Sequence, residues 1–213
     1  MNIFVGMLTM TRVDLLMRNK KFLESILDPD MVLIIDNGNQ SIDIDVPIHR
    51  PGRNIGISAA WNKFMRAAFV QNNCDALVIL QDDIIWDMEK LAHARWLLLA
   101  NPDVDLFLSH LQWSVQIHRP VTMFRVGDFD ERFTPAYCED DDYTIRMIKA
   151  GKIYQRFHEL DPLPGSISEG TKKPVAWSTQ KAKLVAKWGK STIEANVPHA
   201  PYYETNRGYR LPT

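Results

Sequence analysis

Short apolar runs alternate with segments of helical spacing along most of the chain. The run at residues 3–7 is followed by residues 14–26, where apolar side chains recur at helical intervals. Residues 76–80 are wholly apolar, which is typical of a buried strand. The other predicted strands are residues 31–35, 42–46, 106–108, 123–126 and 153–157, and the other predicted helices are residues 58–70, 87–100, 139–150 and 181–188.

Strands that alternate with helices indicate an α/β domain with a central, mostly parallel sheet flanked by helices. We therefore predict a single domain that covers residues 1–213. In such sheets, ligands bind beyond the carboxyl ends of the strands. Polar residues follow three of the predicted strands at this point, namely residues 9–12, 36–37 and 81–83.

Two helix boundaries are recognisable in the sequence, and the first is also suited to ligand binding. Gly56 allows close backbone approach, and Ser58 is predicted as the N-cap of the helix that follows. The free N–H groups of such a helix start suit a phosphate, although a plain turn and cap explain the same residues. Lys149 and Gly151 predict the end of the helix that begins at Glu139.

Composition narrows the classes of function. The 213 residues include 25 Lys and Arg against 26 Asp and Glu, and 46% are apolar. This balance indicates a folded domain, and nucleic acid is not an expected partner because nucleic-acid-binding domains are usually basic. Cys74 and Cys138 lack the spacing of a zinc site and predict two reduced thiols. No apolar stretch is long enough for a membrane span, and no signal peptide is recognisable, so a cytoplasmic location is expected.

Two acidic clusters are candidates for chemistry. Asp82 and Asp83 directly follow the buried strand, where adjacent carboxylates repel each other and a divalent cation would remove the repulsion. A strand that ends in solvent, with one of these residues capping the next helix, explains the pair equally well. Residues 139–142 are four acids that open a helix, where they complement the helix dipole. Because they follow an apolar and aromatic segment, one of them is also suited to act as a general base.

Several of these segments, taken in order, carry a family resemblance. They are Thr9 and Thr11, residues 35–38, residues 54–62, residues 81–83, residues 127–133 and residues 139–146. The ordered set resembles the GT-A nucleotide-sugar glycosyltransferases of the inverting family 2 type, over about residues 3–151. The resemblance implies transfer of a sugar from a UDP- or dTDP-sugar to a hydroxyl of a glycan or glycoprotein, with Mn²⁺ or Mg²⁺ as cofactor. It also implies a nucleotide-binding half at residues 1–100 and an acceptor-side half with a C-terminal tail at residues 101–213.

The resemblance assigns roles to individual residues. Asp140 matches the catalytic base, and Asp83 matches the metal position of the D-x-D motif. Gln81 replaces the first Asp of that motif, so Asp82 is expected to share the metal or to hold the ribose. Asp36 matches the carboxylate that accepts a hydrogen bond from the nucleotide base. The other residues implied to bind the nucleotide sugar are Thr9, Thr11, Arg12, Arg53, Asn54, Asn62, Gln81 and Asp82.

Alternative functions remain open at this point. The chain is also similar to the N-terminal domain of larger glycosyltransferases that act on the capsid glycans of giant algal viruses, which would place it in the host cytoplasm. A non-catalytic nucleotide- or carbohydrate-binding domain and a sugar-1-phosphate nucleotidyltransferase are the alternatives. The latter would need a glycine-rich loop after the first strand, and residues 9–12 contain no glycine. Trp177, Trp188, Tyr202 and Tyr203 either stack on acceptor sugars or pack within the protein.

Overall fold

Seven strands and seven helices define the architecture of the described part of the chain. The computed structural model describes residues 1–109, 112–161, 163 and 174–197. The strands are β1 (Ile3–Thr9), β2 (Val32–Asp36), β3 (Ile48–His49), β4 (Ala76–Gln81), β5 (Leu106–Leu108), β6 (Val115–His118) and β7 (Tyr154–Arg156). The helices are α1 (Val13–Leu16), α2 (Lys20–Glu24), α3 (Ile57–Arg66), α4 (Met88–Ala100), α5 (Glu139–Lys149), α6 (Pro174–Trp188) and α7 (Lys190–Asn196).

The strands form one sheet in the order β3-β2-β1-β4-β6-β5-β7. β6 pairs antiparallel with β4 and β5, and the other neighbours pair in parallel, which confirms the predicted mostly parallel sheet. The direction of strand order changes at β1, because β2 lies on one side of it and β4 on the other. A crevice forms at such a switch point, beyond the carboxyl ends of the two strands. The topology therefore predicts a ligand site at the carboxyl ends of β1 and β4.

Helices cover both faces of the sheet and explain why its central strands are so apolar. All seven residues of β1 are buried, as are five of the six of β4. Leu16, Phe22 and Trp86 belong to the cluster on one face, and Trp61 and Tyr143 belong to the cluster on the other. Burial of this kind contributes about 1.5–3 kcal/mol for each large apolar side chain. The central strands therefore form a fixed base for the loops at their ends.

The prediction of one continuous helix over residues 14–26 is wrong. The segment forms α1, a 3₁₀ turn at Met17–Asn19 and then α2. The break falls at Asn19, a polar residue on the otherwise apolar face of the segment. Its buried side chain hydrogen-bonds the main chain of Ile84 and Trp86 rather than facing other helical side chains.

The predicted strand at residues 42–46 is also wrong. Ile42, Ile44 and Val46 are half-buried and alternate with exposed residues, as the period-two pattern requires. However, β2 pairs with β3, and its ladder starts with the Ile34 N–H donating to Pro47 O at 3.0 Å. The alternation therefore reports which side chains contact the core, and it carries no information on which backbone groups pair.

The predicted strand at residues 123–126 is replaced by a π-helical turn at Thr122–Val126. Pro120 precedes this turn, where its fixed φ suits the start of a helix, and Gly127 ends it with a φ of +91°. The strand of this region is β6, which lies in the segment that the sequence pattern left irregular. Its pairing is antiparallel to both neighbours and closes the gap between β4 and β5.

Several predicted boundaries are confirmed, and others shift. Asp87 caps α4 by accepting a hydrogen bond from the Lys90 N–H at 2.9 Å. Gly151 follows the end of α5 with a φ of +64°, as predicted. Ser58 is not the N-cap of α3: that position belongs to Gly56, and the Ser58 hydroxyl is buried inside the first turn. α6 starts earlier than predicted, at Pro174.

Three predictions concern features outside the sheet. Cys74 and Cys138 are both buried and unpaired with each other, as predicted. Across the described residues, no helix combines the length and the apolar character that crossing a membrane requires. The tyrosines at 202 and 203, predicted as an acceptor platform or packing residues, lie outside the described residues.

Candidate active site

The ends of β1 and β4 meet at a hydrogen bond between two predicted site residues. The Thr9 hydroxyl donates to Asp82 Oδ2 at 2.7 Å. The Asp82 N–H donates to Leu8 O at 3.1 Å, which extends the β1–β4 ladder by one residue. The Ile84 N–H then donates to Gln81 O at 3.2 Å, so Asp82 and Asp83 occupy the two central positions of a tight turn. The sheet thus places both carboxylates at the switch point.

The two carboxylates of this turn are held in an unfavourable environment. Burial raises the pKa of Asp82, and the hydroxyl hydrogen bond from Thr9 offsets part of that effect. Burial, followed by the charge of Asp82, raises the pKa of Asp83 to about 6. The Asp83 Oδ1 atom is buried and, among the described residues, has no hydrogen-bond partner. A buried carboxylate oxygen without a donor, next to a second carboxylate, is a suitable ligand for a hard cation.

The alternative reading of this pair, as the cap of the next helix, is wrong because Asp87 caps α4. Within the described ranges, no group of three or more His, Cys, Asp or Glu side chains is arranged to hold a metal. The protein therefore offers two carboxylates. This suits a cation such as Mg²⁺, which usually keeps positions for phosphate oxygens and water.

Asp36 ends β2 and is completely buried. Its Oδ1 accepts hydrogen bonds from the Gly38 N–H at 3.0 Å and the Gln40 side chain at 3.3 Å. Its Oδ2 accepts from the Gln40 N–H at 2.6 Å and lies 3.4 Å from Arg50 Nε. A carboxylate has about four acceptor positions, and these three hydrogen bonds use three of them, while the Arg50 Nε–H donates to Gln40 O at 3.4 Å. Asp36 therefore shapes the 37–40 loop, with the Arg50 guanidinium beside it.

The loops after β1 and β2 touch through backbone as well as side chains. A Cβ on Gly38 would lie 1.6 Å from Met10 O, so this position accepts only glycine. The Gln40 side-chain amide lies 3.5 Å from the Thr9 hydroxyl. Gln40 thus lies between Asp36 and Thr9, which itself bonds Asp82. Sequence reasoning missed Gln40, because nothing in the local pattern separates it from an ordinary loop residue.

The remaining predicted nucleotide-binding residues form the outer part of this region. Arg12 is half-buried and pairs with Asp14 at 2.9 Å. Its positive charge offsets part of the rise that burial causes in the pKa of Asp82 and Asp83. Thr11 and Arg53 are exposed.

Asn54 connects the helix-start loop to the first loop of the site. Its side-chain oxygen accepts from the Gly56 N–H at 2.8 Å, and its amide reaches Met10 Sδ at 3.4 Å.

Asn62 has a different environment from the other predicted binding residues. It is buried in the middle of α3, and its oxygen accepts from the Phe129 N–H at 2.7 Å. Its amide donates to Phe129 O and to Glu131 Oε1, both at 2.9 Å. Both of its amide hydrogens and its oxygen are therefore used to fix the 128–131 segment against α3. The structure does not bring it into the group formed by Thr9, Asp36 and Asp82.

The N-terminus of α5 lies at the same edge of the sheet. α5 leads into β7, a strand parallel to β5, so the helix must start near the carboxyl ends of the strands. The segment before it contacts the start of α3, since the Ile57 N–H donates to Pro135 O at 2.9 Å. A Cβ on Gly56 would lie 2.7 Å from the Thr134 hydroxyl. Asp140, the predicted catalytic base, is half-buried in the first turn of α5.

The four acids at the start of α5 have distinct environments and are not a uniform solvated face. Glu139 is buried, and burial followed by the charge of Asp140 raises its pKa well above the usual range. Burial and the neighbouring charges also raise the pKa of Asp141. Asp142 is completely buried and pairs with Arg146 at 3.0 Å and Lys187 at 2.6 Å. Asp140 is half-buried, and its Oδ1 accepts a hydrogen bond from the Asp141 N–H at 2.9 Å.

Trp188, one of the predicted acceptor-platform residues, donates from its indole N–H to Asp142 at 2.8 Å. Lys149 Nζ lies 4.8 Å from the centre of its ring. These contacts support the packing alternative for Trp188, which fastens α6 to α5. Trp177 lies near the start of α6, with Lys181 Nζ 5.2 Å from its ring centre.

Comparison with known proteins supports the fold. No protein-family model and no curated protein matches the sequence. Among solved structures, the chain is similar to the mannosyltransferase PcManGT from Pyrobaculum calidifontis in complex with GDP-Man and Mn²⁺, with a TM-score of 0.57 and 14% identity over 96% of this chain and 76% of that one. It is also similar to S. aureus TarS, with a TM-score of 0.63 and 12% identity over 97% of this chain but only 44% of TarS. At these identities the likeness establishes a GT-A-like α/β fold.

Proposed function

We propose that the chain is a nucleotide-sugar glycosyltransferase that transfers a sugar to a hydroxyl of a glycan or glycoprotein. The observation that carries the proposal is the Asp82–Asp83 turn at the switch point of the sheet, with its buried and unpartnered Asp83 oxygen. A second acidic group, at the start of α5, lies at the same edge. The GT-A-like fold supports the proposal, because the PcManGT structure of that fold holds a nucleotide sugar and Mn²⁺.

The donor is proposed to bind across the loops after β1 and β2 and before α3. Thr9, Arg12 and Asn54 are the side chains proposed to line the nucleotide, together with Thr11 and Arg53, which are exposed and available. Asp36 keeps the 37–40 loop in shape through three hydrogen bonds and an ion pair with Arg50. A uracil or thymine base is expected, since its ring N–H can donate to a carboxylate or carbonyl of this loop.

A divalent cation, Mn²⁺ or Mg²⁺, is proposed to bind Asp83 and to share Asp82. The residues fit it: the Asp83 oxygen gains the partner that it lacks, and the repulsion between the two carboxylates is offset. When bound, such a cation supplies charge neutralisation for a diphosphate leaving group. Thr9 keeps Asp82 oriented through its 2.7 Å hydrogen bond.

Asp140 is proposed to accept the proton of the acceptor hydroxyl. As that proton moves to the Asp140 carboxylate, the hydroxyl oxygen forms a bond to the anomeric carbon, and the bond from that carbon to the diphosphate oxygen breaks on the opposite face. The configuration inverts, and the proton leaves Asp140 to solvent. Only one carboxylate acts in proton transfer, unlike in glycosidases, which use two. The Asp142 ion pairs fix the helix that carries this base.

The experiment is nucleoside-diphosphate release from UDP-, dTDP- and GDP-sugars by the purified chain with Mn²⁺. Asp140→Asn should lose about 10²–10⁴-fold of the release rate, as is typical when a general base is removed. Asp141→Asn makes the same substitution one residue later and should stay within a few-fold of the parent. Equal rates for Asp140→Asn and the parent, or no release by the parent from any donor, would contradict the proposal.

The proposed setting is the cytoplasm, and the host cytoplasm for a viral capsid-glycan enzyme. That setting agrees with two unbridged and buried cysteines, because reducing compartments keep thiols free. Expression of a tagged chain and fractionation of the cells tests it.

A further inference from the structure

We propose that Asn19 is a positioning residue that holds the Asp82–Asp83 turn in the shape that a cation requires; this inference rests on the proposed function for the role of the cation. Asn19 is completely buried, although it lies in a segment whose other inward-facing residues are apolar. A polar side chain in such a place needs partners, because burial without hydrogen bonds is unfavourable. It finds them in the chain that leaves the turn.

The side-chain amide of Asn19 makes two hydrogen bonds to residues far away in sequence. Its Nδ2 donates to Ile84 O at 2.6 Å, and its Oδ1 accepts from the Trp86 N–H at 2.9 Å. The two bonded residues flank Ile85. A parallel strand pairs with its neighbour in the same way, through the C=O before and the N–H after one residue. The Asn19 amide therefore takes the place of a neighbouring strand at a point where β4 has ended.

These bonds act directly on the two carboxylates. Asp83 is bonded covalently to Ile84, and the Ile84 N–H closes the turn on Gln81 O at 3.2 Å. The turn is thus fixed on one side by β4 and on the other by Asn19. Ile84 and Trp86 are both about 1% exposed, so water cannot replace the partner of their main-chain groups if Asn19 is removed.

The break between α1 and α2 is explained by the same contact. If residues 14–26 formed one continuous helix, the segment would make only the side-chain contacts of a packed helix. The 3₁₀ turn at Met17–Asn19 instead ends at Asn19, whose φ of −92° and ψ of 2° lie outside the α-helical values. Phe22 in α2 packs edge-on against Trp86, with ring centres 6.3 Å apart. This contact also holds the segment that follows the Asp82–Asp83 turn.

The first test is local hydrogen–deuterium exchange of the turn. Asn19→Ala should increase the exchange rate of the amides at residues 84–87 by at least tenfold, with β1 unchanged. Asn72→Ala is the matched control, because its amide also donates to a distant main-chain oxygen, Asp30 O at 3.1 Å, away from the turn. Equal exchange in Asn19→Ala and the parent would overturn the proposal.

The second test measures the cation itself through the electron paramagnetic resonance signal of free Mn²⁺. The dissociation constant of Mn²⁺ should rise at least tenfold in Asn19→Ala, whereas the helical circular dichroism signal in EDTA should not change. A general loss of structure would weaken both, and a purely structural Asn19 would change neither. An unchanged Mn²⁺ affinity in a loosened turn would overturn the positioning role. If the parent binds no Mn²⁺, the proposed function is contradicted, and the exchange rates alone decide on Asn19.

Discussion

Asp83→Asn is expected to stabilise the metal-free protein and at the same time to remove its response to Mn²⁺. The Asp83 carboxylate has a pKa of about 6 in the folded chain, against 3.8 in an unfolded one, because of burial and the charge of Asp82. The unfolded state therefore releases this proton first as the pH rises. The folded state is penalised increasingly from about pH 4 to about pH 6, and fully above that pH.

The size of the effect follows from the shift. About two pKa units correspond to roughly 3 kcal/mol, which falls to about 1–2 kcal/mol once screening by solvent at a partly exposed group is allowed for. The amide of Asn has the same shape and no charge, so the variant should gain this amount at pH 7.5 and little at pH 4. For a chain of this length, the melting temperature should rise by about 2–8 °C.

Urea and thermal unfolding in EDTA measure the gain, with Asp103→Asn, at an exposed position, as the control. When UDP and Mn²⁺ are present, the difference in stability should reverse, so that the parent is more stable than the variant. A ligand at a hundred times its dissociation constant stabilises a protein by about 2.7 kcal/mol, and only the parent should receive this stabilisation. A variant that is destabilised in EDTA, or that responds to UDP and Mn²⁺ as the parent does, would refute the reasoning.

Three further expectations concern the frame around the site. Gly56→Ala should destabilise by about 1–3 kcal/mol, since its φ is +84° and the new Cβ would meet Thr134, whereas Gly52→Ala, with a φ of +75° and open space, should cost less in urea unfolding. Burial lowers the pKa of His118 to about 3, so the neutral ring is favoured and stability falls as the pH drops below about 6.5. Between pH 6.5 and 4.5 the parent should lose about 2–3 kcal/mol that His118→Gln retains, and identical pH slopes would contradict this. Lys187→Met should lower stability by about 1–3 kcal/mol, because Lys187 pairs with two carboxylates at 2.8 and 2.6 Å, and an unchanged urea midpoint would count against these ion pairs.

Features that depend on local pattern were predicted from the sequence. The apolar β4 segment, the polar residues directly after it and the glycine that ends α5 all follow from periodicity and turn chemistry. The location of Asp82 and Asp83 at a sheet edge needed only the rule that ligands bind beyond the carboxyl ends of parallel strands. Their environment, in which one oxygen lacks a donor, depends on contacts between residues that are far apart in the sequence.

Non-local contacts account for what the sequence did not reveal. Residues 42–46 alternate as a strand would, yet the partner of β2 is the short β3, because burial and backbone pairing are separate properties. Asn62 occupies a motif position but bonds Phe129, 67 residues away. Asn19 bonds Ile84 across 65 residues, and the available signal was a polar residue on an apolar helical face. Such a residue indicates a buried partner without identifying it.

The central claim is that the switch point binds a nucleoside diphosphate together with a divalent cation. A thermal-shift panel of UDP, dTDP, GDP and CMP, each with and without Mn²⁺, tests it most directly. Stabilisation by UDP or dTDP that requires Mn²⁺, and that disappears in Asp83→Asn, is the expected result. The absence of a shift with every nucleotide in the presence of Mn²⁺ would contradict the account.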